Sequence, residues 1–178
     1  MDTEYLIKLA IQNKRSAQKE IYETYSSSAY AVIRRYIKDE YDAEDVLIET
    51  FMKVFENLTN FKNEGSFEGW IKKIAVREAL MFLRRNKVFK MFIEADNINI
   101  SEKVTVENYL EFADLLKVMD LLPVGYRTVF NLYVIEGYKH NEIAEILGIS
   151  INTTKSQLRL AKDRLKKLIE EQNKINTA

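Results

Sequence analysis

Apolar and polar positions alternate with a helical period along almost all of this 178-residue chain. Apolar residues returning at intervals of three and four mark one buried face of a helix. Thr3 stands as the cap of a first helix carrying Leu6, Ile7, Leu9 and Ala10, and Asn13 as its stop, since Asn tolerates the left-handed conformation. Ser16 caps a second run with Ala17, Ile21, Tyr22, Tyr25, Ala29, Val32, Ile33 and Tyr36 inward. Asp42 reads as the cap of a third, whose apolar side is Val46, Leu47, Thr50, Phe51, Val54 and Phe55. The period lapses over 60–69, NFKNEGSFEG, a loop anchored by Phe61 and Phe67. A fourth helix then places Trp70, Ile71, Ile74, Ala75, Ala79 and Phe82 inward.

From Glu94 to Asn108 the helical pattern dissolves and acids dominate, which reads as a linker. Periodicity returns at Tyr109, with Leu110, Ala113, Leu116, Val118, Leu121 and Leu122 on one face. Pro123 suits the first position of the next helix, where its missing N–H has no partner to lose. There Val129, Phe130, Leu132, Tyr133 and Ile135 are expected to pack, and Gly137 to end the element. Ile143, Ala144, Ile146 and Leu147 form a short apolar face closed by Gly148, with Ile151 expected buried in the turn. Thr154, Leu158, Ala161, Leu165 and Leu168 then line a last helix. Helix, Gly-centred turn and second helix make a helix-turn-helix, whose second helix enters the DNA major groove. The expectation is an all-α chain of two small helical domains joined by a flexible linker. Its parts are 1–93, linker 94–108, 109–172 with the helix-turn-helix, and a tail at 173–178.

Composition narrows the chemistry. One Pro and five Gly favour helix, and the absence of Cys excludes disulfides and thiolate metal sites. A single His, His140, excludes a multi-histidine metal site and reads as a partly exposed helix-start residue. No apolar run approaches the ~18 residues of a membrane span, and no signal peptide is evident, so a cytoplasmic protein is expected. Asp45 and Glu49 share a helix face, but no companion ligand, nucleophile or phosphate-binding Gly loop accompanies them. No catalytic residue, metal or cofactor is therefore expected.

The formal net charge is zero, yet the charges are segregated. Asp39 to Glu56 holds seven acids and one base, whereas Trp70 to Lys90 holds seven bases and one acid, Glu78. A third block, Asn152 to Leu168, carries six bases against Asp163. Such blocks suggest two kinds of partner, one basic and one anionic. Lys73, Arg77 and Arg84 share a face of the fourth helix beside an aromatic loop, the combination a single-stranded nucleic acid needs. Asn152, Lys155, Ser156 and Arg159 lie away from the apolar seam near the start of the last helix, where side chains reach base edges.

Two motifs together resemble an extracytoplasmic-function sigma factor of bacterial RNA polymerase. The first comprises Asp42-Ala43-Glu44-Asp45-Val46, Glu49, Phe51, Val54, Phe55, Phe61, Gly65, Trp70-Ile71, Ile74-Ala75 and Leu83-Arg84-Arg85, and is similar to sigma domain 2. The second comprises Leu122-Pro123, Arg127, Val129-Phe130, Glu136-Gly137, Glu142-Ile143-Ala144, Leu147-Gly148-Ile149-Ser150, Thr153, Lys155-Ser156, Leu158 and Ala161, and is similar to sigma domain 4. The resemblance implies that Asp42, Asp45, Glu49 and Phe51 meet the β′ clamp helices of core RNA polymerase, with the β flap as a further contact. It implies that Phe61, Gly65, Phe67, Lys73, Arg77 and Arg84 take the minus-ten element of promoter DNA and a flipped base. It implies that Asn152, Thr153, Lys155, Ser156 and Arg159 read the minus-thirty-five element, and it admits an anti-sigma partner. Ile48 stands where the family usually has Gln, Arg77 where many members have Asn, and Lys139 where a Ser or Thr cap is usual; Arg159-Leu160 reverses a frequent placement of the Arg. A stand-alone helix-turn-helix regulator is the rival class, and it leaves the acidic helix without work.

Overall fold

The computed structural model describes residues 3–86 and 118–176, with side chains through residue 170. All its regular structure among those residues is helical, and the chain divides into two compact units, 1–86 and 87–178. No helix among the described residues is long and apolar enough to cross a membrane. The expected linker, 94–108, and the helical run before Val118 lie outside the described residues.

Unit 1 contains α1 (Thr3–Ile11), α2 (Arg15–Arg34), α3 (Glu40–Glu56), a 3-10 turn (Leu58–Asn60) and α4 (Phe67–Arg85). Helices α2, α3 and α4 pack mutually, with α1 laid on α2. Ile21, Ile33, Tyr36, Val46, Val54, Leu58 and Ile71 are essentially inaccessible and form the centre. The helix ends show why the boundaries differ from those expected. Asn13 adopts φ 59, as anticipated, and closes α1: its own N–H bonds Ala10 O and the Lys14 N–H bonds Leu9 O. That paired closure satisfies two end carbonyls and leaves almost no connection. Helix α2 therefore starts at Arg15 with Lys14 as its cap residue, and Ser16 falls inside the first turn rather than capping it. In α3 the cap is Asp39, whose carboxylate accepts the Asp42 N–H at 3.0 Å. Asp42 itself sits within the first turn, where its charge favours the positive end of the helix dipole. Ser66 caps α4 by accepting from the Gly69 N–H, so the loop is shorter than 60–69 and Phe67 is already helical.

Unit 2 contains α5 (Val124–Phe130), a wide π turn (Asn131–Ile135), α6 (His140–Leu147) and α7 (Ile151–Asn176). A helical turn at 118–120 supplies Val118 and Met119, which pack with Leu122 against Ala161, Leu165 and Leu168 of α7. Pro123 is the cap residue of α5 (φ −53, ψ 145) rather than its first helical position. Asn131–Ile135 closes with Glu136 N–H on Asn131 O, one residue wider than a regular helical turn. The extra residue breaks the apolar register: Leu132 is buried, but Tyr133, Val134 and Ile135 are 38%, 49% and 43% exposed, so Tyr133 and Ile135 do not pack as expected. The N-terminal part of the expected tail, up to Asn176, continues α7.

Gly148 joins α6 to α7 in the left-handed conformation, φ 67, with its N–H on Glu145 O and the Ile149 N–H on Ala144 O. This is the closure Asn13 makes in unit 1, here with the residue that carries no Cβ penalty. Ser150 then starts α7, accepting the Thr153 N–H at 3.0 Å. Ile151 becomes the first residue of that helix and is 45% exposed, contrary to its expected burial. Thr154, Leu158, Ala161, Leu165 and Leu168 are buried as the periodicity required.

Candidate functional site

Three surfaces collect the candidate residues. The first is the outer face of α3. Asp45 is exposed there, with Asp42 and Glu49 partly so. Phe51 is not on this face: it is 3% exposed, edge-on to Tyr22 at 4.8 Å and tilted against Phe55, so it supports the acidic face from beneath. Glu49 is also not a free acid. Its carboxylate holds Arg85 Nη2 of α4 at 2.6 Å, joining the acidic helix to the basic one. That hydrogen bond holds the exposed Arg85 guanidinium above its ordinary value, and Glu56 at 2.8 Å does the same for the exposed Lys53 ammonium.

Glu78 of α4 is 5% exposed. Burial, and then the nearby Glu49 carboxylate, push its carboxyl above the usual range, against the opposing pull of Lys53, Arg77 and Arg85. Sequence reasoning missed this residue because it sits among bases. Its position seven residues after Ile71 and one before Ala79, on the apolar stripe, was the available signal. Also missed were Tyr41 and Met52, which with Ile48, the position where the family usually has Gln, are apolar side chains exposed at 81%, 57% and 56% among the acids of α3.

The second surface is the 61–66 loop with α4. Asn63 (φ 58) and Gly65 (φ 116) give the loop its shape, and the latter conformation suits only a residue without Cβ. The Asn63 side-chain amide donates to Glu4 of α1. Phe67 lies 5.1 Å from Phe61, 5.4 Å from Tyr25 and 5.7 Å from Trp70, stacked on the last at 17°. Phe67 is buried at 5%, so it forms the floor of the cluster rather than its contact surface, whereas Phe61 and Trp70 stay partly exposed. Trp70, expected inward, therefore shares the outer layer with Phe61, 5.5 Å away. Lys73, Arg77 and Arg84 are all exposed on α4. At the helix start Lys72 bonds Glu68 at 2.7 Å and, with Ser28, holds that exposed carboxylate below its ordinary range.

The third surface is the start of α7. Asn152, Lys155 and Arg159 are exposed, as the helical face assignment required. Thr153 and Ser156 are half-buried and their hydroxyls are engaged: Thr153 Oγ1 meets Ser150 Oγ at 2.9 Å, and Ser156 donates to Thr153 O at 3.0 Å. At the start of α6, Lys139 offers no acceptor, but the Glu142 carboxylate takes the Lys139 N–H at 2.7 Å. This half of a capping box offsets part of what a Ser or Thr would contribute. His140, read from sequence as a simple helix-start residue, stacks on Tyr133 at 4.5 Å and meets Thr154 Oγ1 at 3.1 Å. Among the described residues no three His, Cys, Asp or Glu side chains are grouped to hold a metal ion.

Two family profiles match the chain: Sigma-70 region 2 over residues 21–88 and Sigma-70, region 4 over residues 112–165. The first covers the acidic helix, the aromatic loop and α4; the second covers the helix-turn-helix. RNA polymerase sigma factor SigV of Bacillus subtilis is 33% identical over 129 residues, spanning 72% of this chain and 76% of that one. ECF RNA polymerase sigma factor SigE of Mycolicibacterium smegmatis is 29% identical over 155 residues, spanning 83% of this chain and 59% of its relative. Among solved structures, the sigma factor RpoE of Bartonella quintana, in complex with the anti-sigma factor NepR, shares the fold at a TM-score of 0.50 and 22% identity. That likeness covers 85% of this chain and 96% of that one. With both sigma regions present in order on the two helical units, the chain belongs to the extracytoplasmic-function sigma factors of the sigma-70 family, which recognise promoters in transcription initiation.

Proposed function

We propose that the three surfaces divide promoter recognition between them. The face of α3 carrying Asp42, Asp45 and Glu49 grips the β′ clamp helices of core polymerase, with Phe51 beneath it. The 61–66 loop, the Phe61–Trp70 layer and the Lys73, Arg77 and Arg84 face take the opened minus-ten strand, with Phe67 as floor and Gly65 shaping the loop. Asn152, Lys155 and Arg159, with Thr153 and Ser156 at the helix start, read the minus-thirty-five element in the major groove, while the β flap contacts unit 2. The domain parts are 1–93, 94–108, 109–172 and 173–178.

The observation that carries this reading is the separation of charge by element: acids on the outer face of α3, exposed bases on α4 and on α7. The chain performs no bond chemistry. Flipping a base from a duplex costs a few kcal/mol, and a pocket that holds it only once open offsets that cost. The anti-sigma complex of the Bartonella relative supports an anti-sigma partner here, and action on polymerase supports a cytoplasmic location.

Run-off transcription with purified core polymerase tests the whole reading, and charge reversal at Asp45 and Glu49 tests its first surface. The double reversal weakens core binding in a pull-down titration without lowering helicity. Unchanged affinity removes the clamp assignment. Likewise Arg159→Ala weakens minus-thirty-five binding more than Arg164→Ala, and equal losses in footprinting remove the face assignment.

A further inference from the structure

The geometry points to His140 as the residue that positions the recognition helix: its Nδ1–H donates to Thr154 Oγ1, pinning the first residue of α6 to the first turn of α7. The inference deepens the minus-thirty-five reading of α7 and rests on it.

The direction of the bond comes from counting hydrogens. A threonine hydroxyl has one to give. Thr154 Oγ1 lies 2.7 Å from Ile151 O, and a carbonyl oxygen only accepts, so that hydrogen is spent within α7. The 3.1 Å contact with His140 Nδ1 must then run the other way, with Nδ1–H as donor. This selects the Nδ1–H tautomer and leaves Nε2 bare in the neutral ring.

Thr154 is wholly buried and His140 half-buried, so water competes for the bond less than at an open surface. Tyr133 stacks on the face of the ring at 26°. Three elements therefore converge on one imidazole: the π turn, α6 and α7. The Gly148 turn joins the last residue of α6 to the start of α7, and the His140–Thr154 bond joins the first residue of α6 to the first turn of α7. Two attachments, one at each end of the short α6, fix how it crosses α7 where one would leave a hinge. Lys155 comes directly after Thr154 and Arg159 stands five residues on, so the base-reading side chains inherit whatever orientation the pin imposes. Burial first, and then Lys155 and Lys162, disfavour the charged ring and keep it a neutral donor.

The test uses the full chain and, as probe, a duplex enriched by the wild-type protein from a random-sequence pool. His140→Phe keeps the stack on Tyr133 but removes the donor, and Thr154→Val removes the acceptor. Each weakens binding about 3- to 10-fold, the range expected for one hydrogen bond, and the double variant loses no more than either single one. His140→Asn, whose amide nitrogen donates from nearly the place of Nδ1, restores most of the affinity. Long-range proton–nitrogen NMR of the wild type shows the proton on Nδ1. A proton on Nε2 overturns the proposal. So does wild-type affinity in folded His140→Phe while Arg159→Ala still loses binding, an outcome that leaves the minus-thirty-five reading standing. Undiminished binding by Arg159→Ala instead removes that reading. If His140→Phe does not fold, Thr154→Ser and Thr154→Val decide: the serine retains the acceptor and binds like wild type, and equal affinities for the two overturn the pin.

Discussion

Replacing Phe67 by Ala separates a floor from a contact. The ring is 5% exposed and touches three other aromatic rings, those of Tyr25, Phe61 and Trp70. Truncating a buried Phe to Ala costs about 3–5 kcal/mol, the lost transfer energy plus that of the cavity left behind. Unit 1, residues 1–86, has on general grounds about 4–13 kcal/mol to lose. The substitution therefore removes between a quarter and all of its stability. Phe67→Leu, which leaves a smaller cavity, should lose less than Phe67→Ala. Trp70 is the sole tryptophan, so its fluorescence reports urea unfolding of unit 1 alone. With a urea slope of about 1–3 kcal/mol per molar, the midpoint for Phe67→Ala falls by at least about 1 M. Because Trp70 stacks on the substituted ring, its baseline will change, and the midpoint rather than the amplitude is the quantity to read. A midpoint unmoved in Phe67→Ala, together with loss of minus-ten strand binding, would refute the burial argument and return Phe67 to the contact surface.

Gly148→Ala forces a Cβ into the left-handed region at φ 67 and costs unit 2 about 1–2 kcal/mol, read as a lowered melting temperature; no change would mean the turn relaxes elsewhere. The Glu78 carboxyl is raised above its ordinary 4.5 on folding, so the folded state holds its proton longer than the unfolded one. Its stabilising share is complete below pH 4.5 and is lost as pH rises through the shifted value, so Glu78→Gln raises unit 1 stability at neutral pH and has little effect at lower pH; a gain at low pH instead refutes the sign. His140 is shifted the other way, below 6.5, so the unfolded chain takes the proton first, and unit 2 loses stability as pH falls from 6.5 through the shifted value; His140→Asn flattens that slope in melts run across the range. Glu4→Ala frees the Asn63 amide and raises hydrogen exchange across residues 61–66 while leaving the global midpoint nearly unchanged; equal exchange would mean α1 does not tether the loop.

What the sequence made legible was what repeats or what only one backbone shape permits. Apolar spacing found the stripes of α2, α3, α4 and α7, and Asn13 and Gly148 announced their left-handed closures. Charge blocks found the acidic and basic faces because solvated charges stay where their helix puts them. Caps were harder: Asp39 and Asp42 offer the same carboxylate three residues apart, and only the fold shows which of them leaves the helix. Pattern also says little where an element departs from its own period. One extra residue at Asn131–Ile135 turned Tyr133 and Ile135 outward with no Pro or Gly inside the segment to announce it. Contacts between elements distant in sequence, such as Glu49 with Arg85 and Asn63 with Glu4, have no local signature at all.

The wide turn at Asn131–Ile135 also governs how this half of the chain can change length. Deleting one residue there permits a regular helix, so the local backbone cost is small. Yet each residue of a helix carries about 100° of rotation, and the deletion turns α5 against α6 by that angle. The ring of Tyr133 would swing off His140, although Tyr133, Val134 and Ile135 are exposed and only Asn131 and Leu132 of the segment reach the core. Exposed segments ordinarily absorb insertions and deletions freely. This one behaves as a phase setter, in which the count of residues matters more than their identity. Substitutions at Val134 should be mild where loss of the position is not.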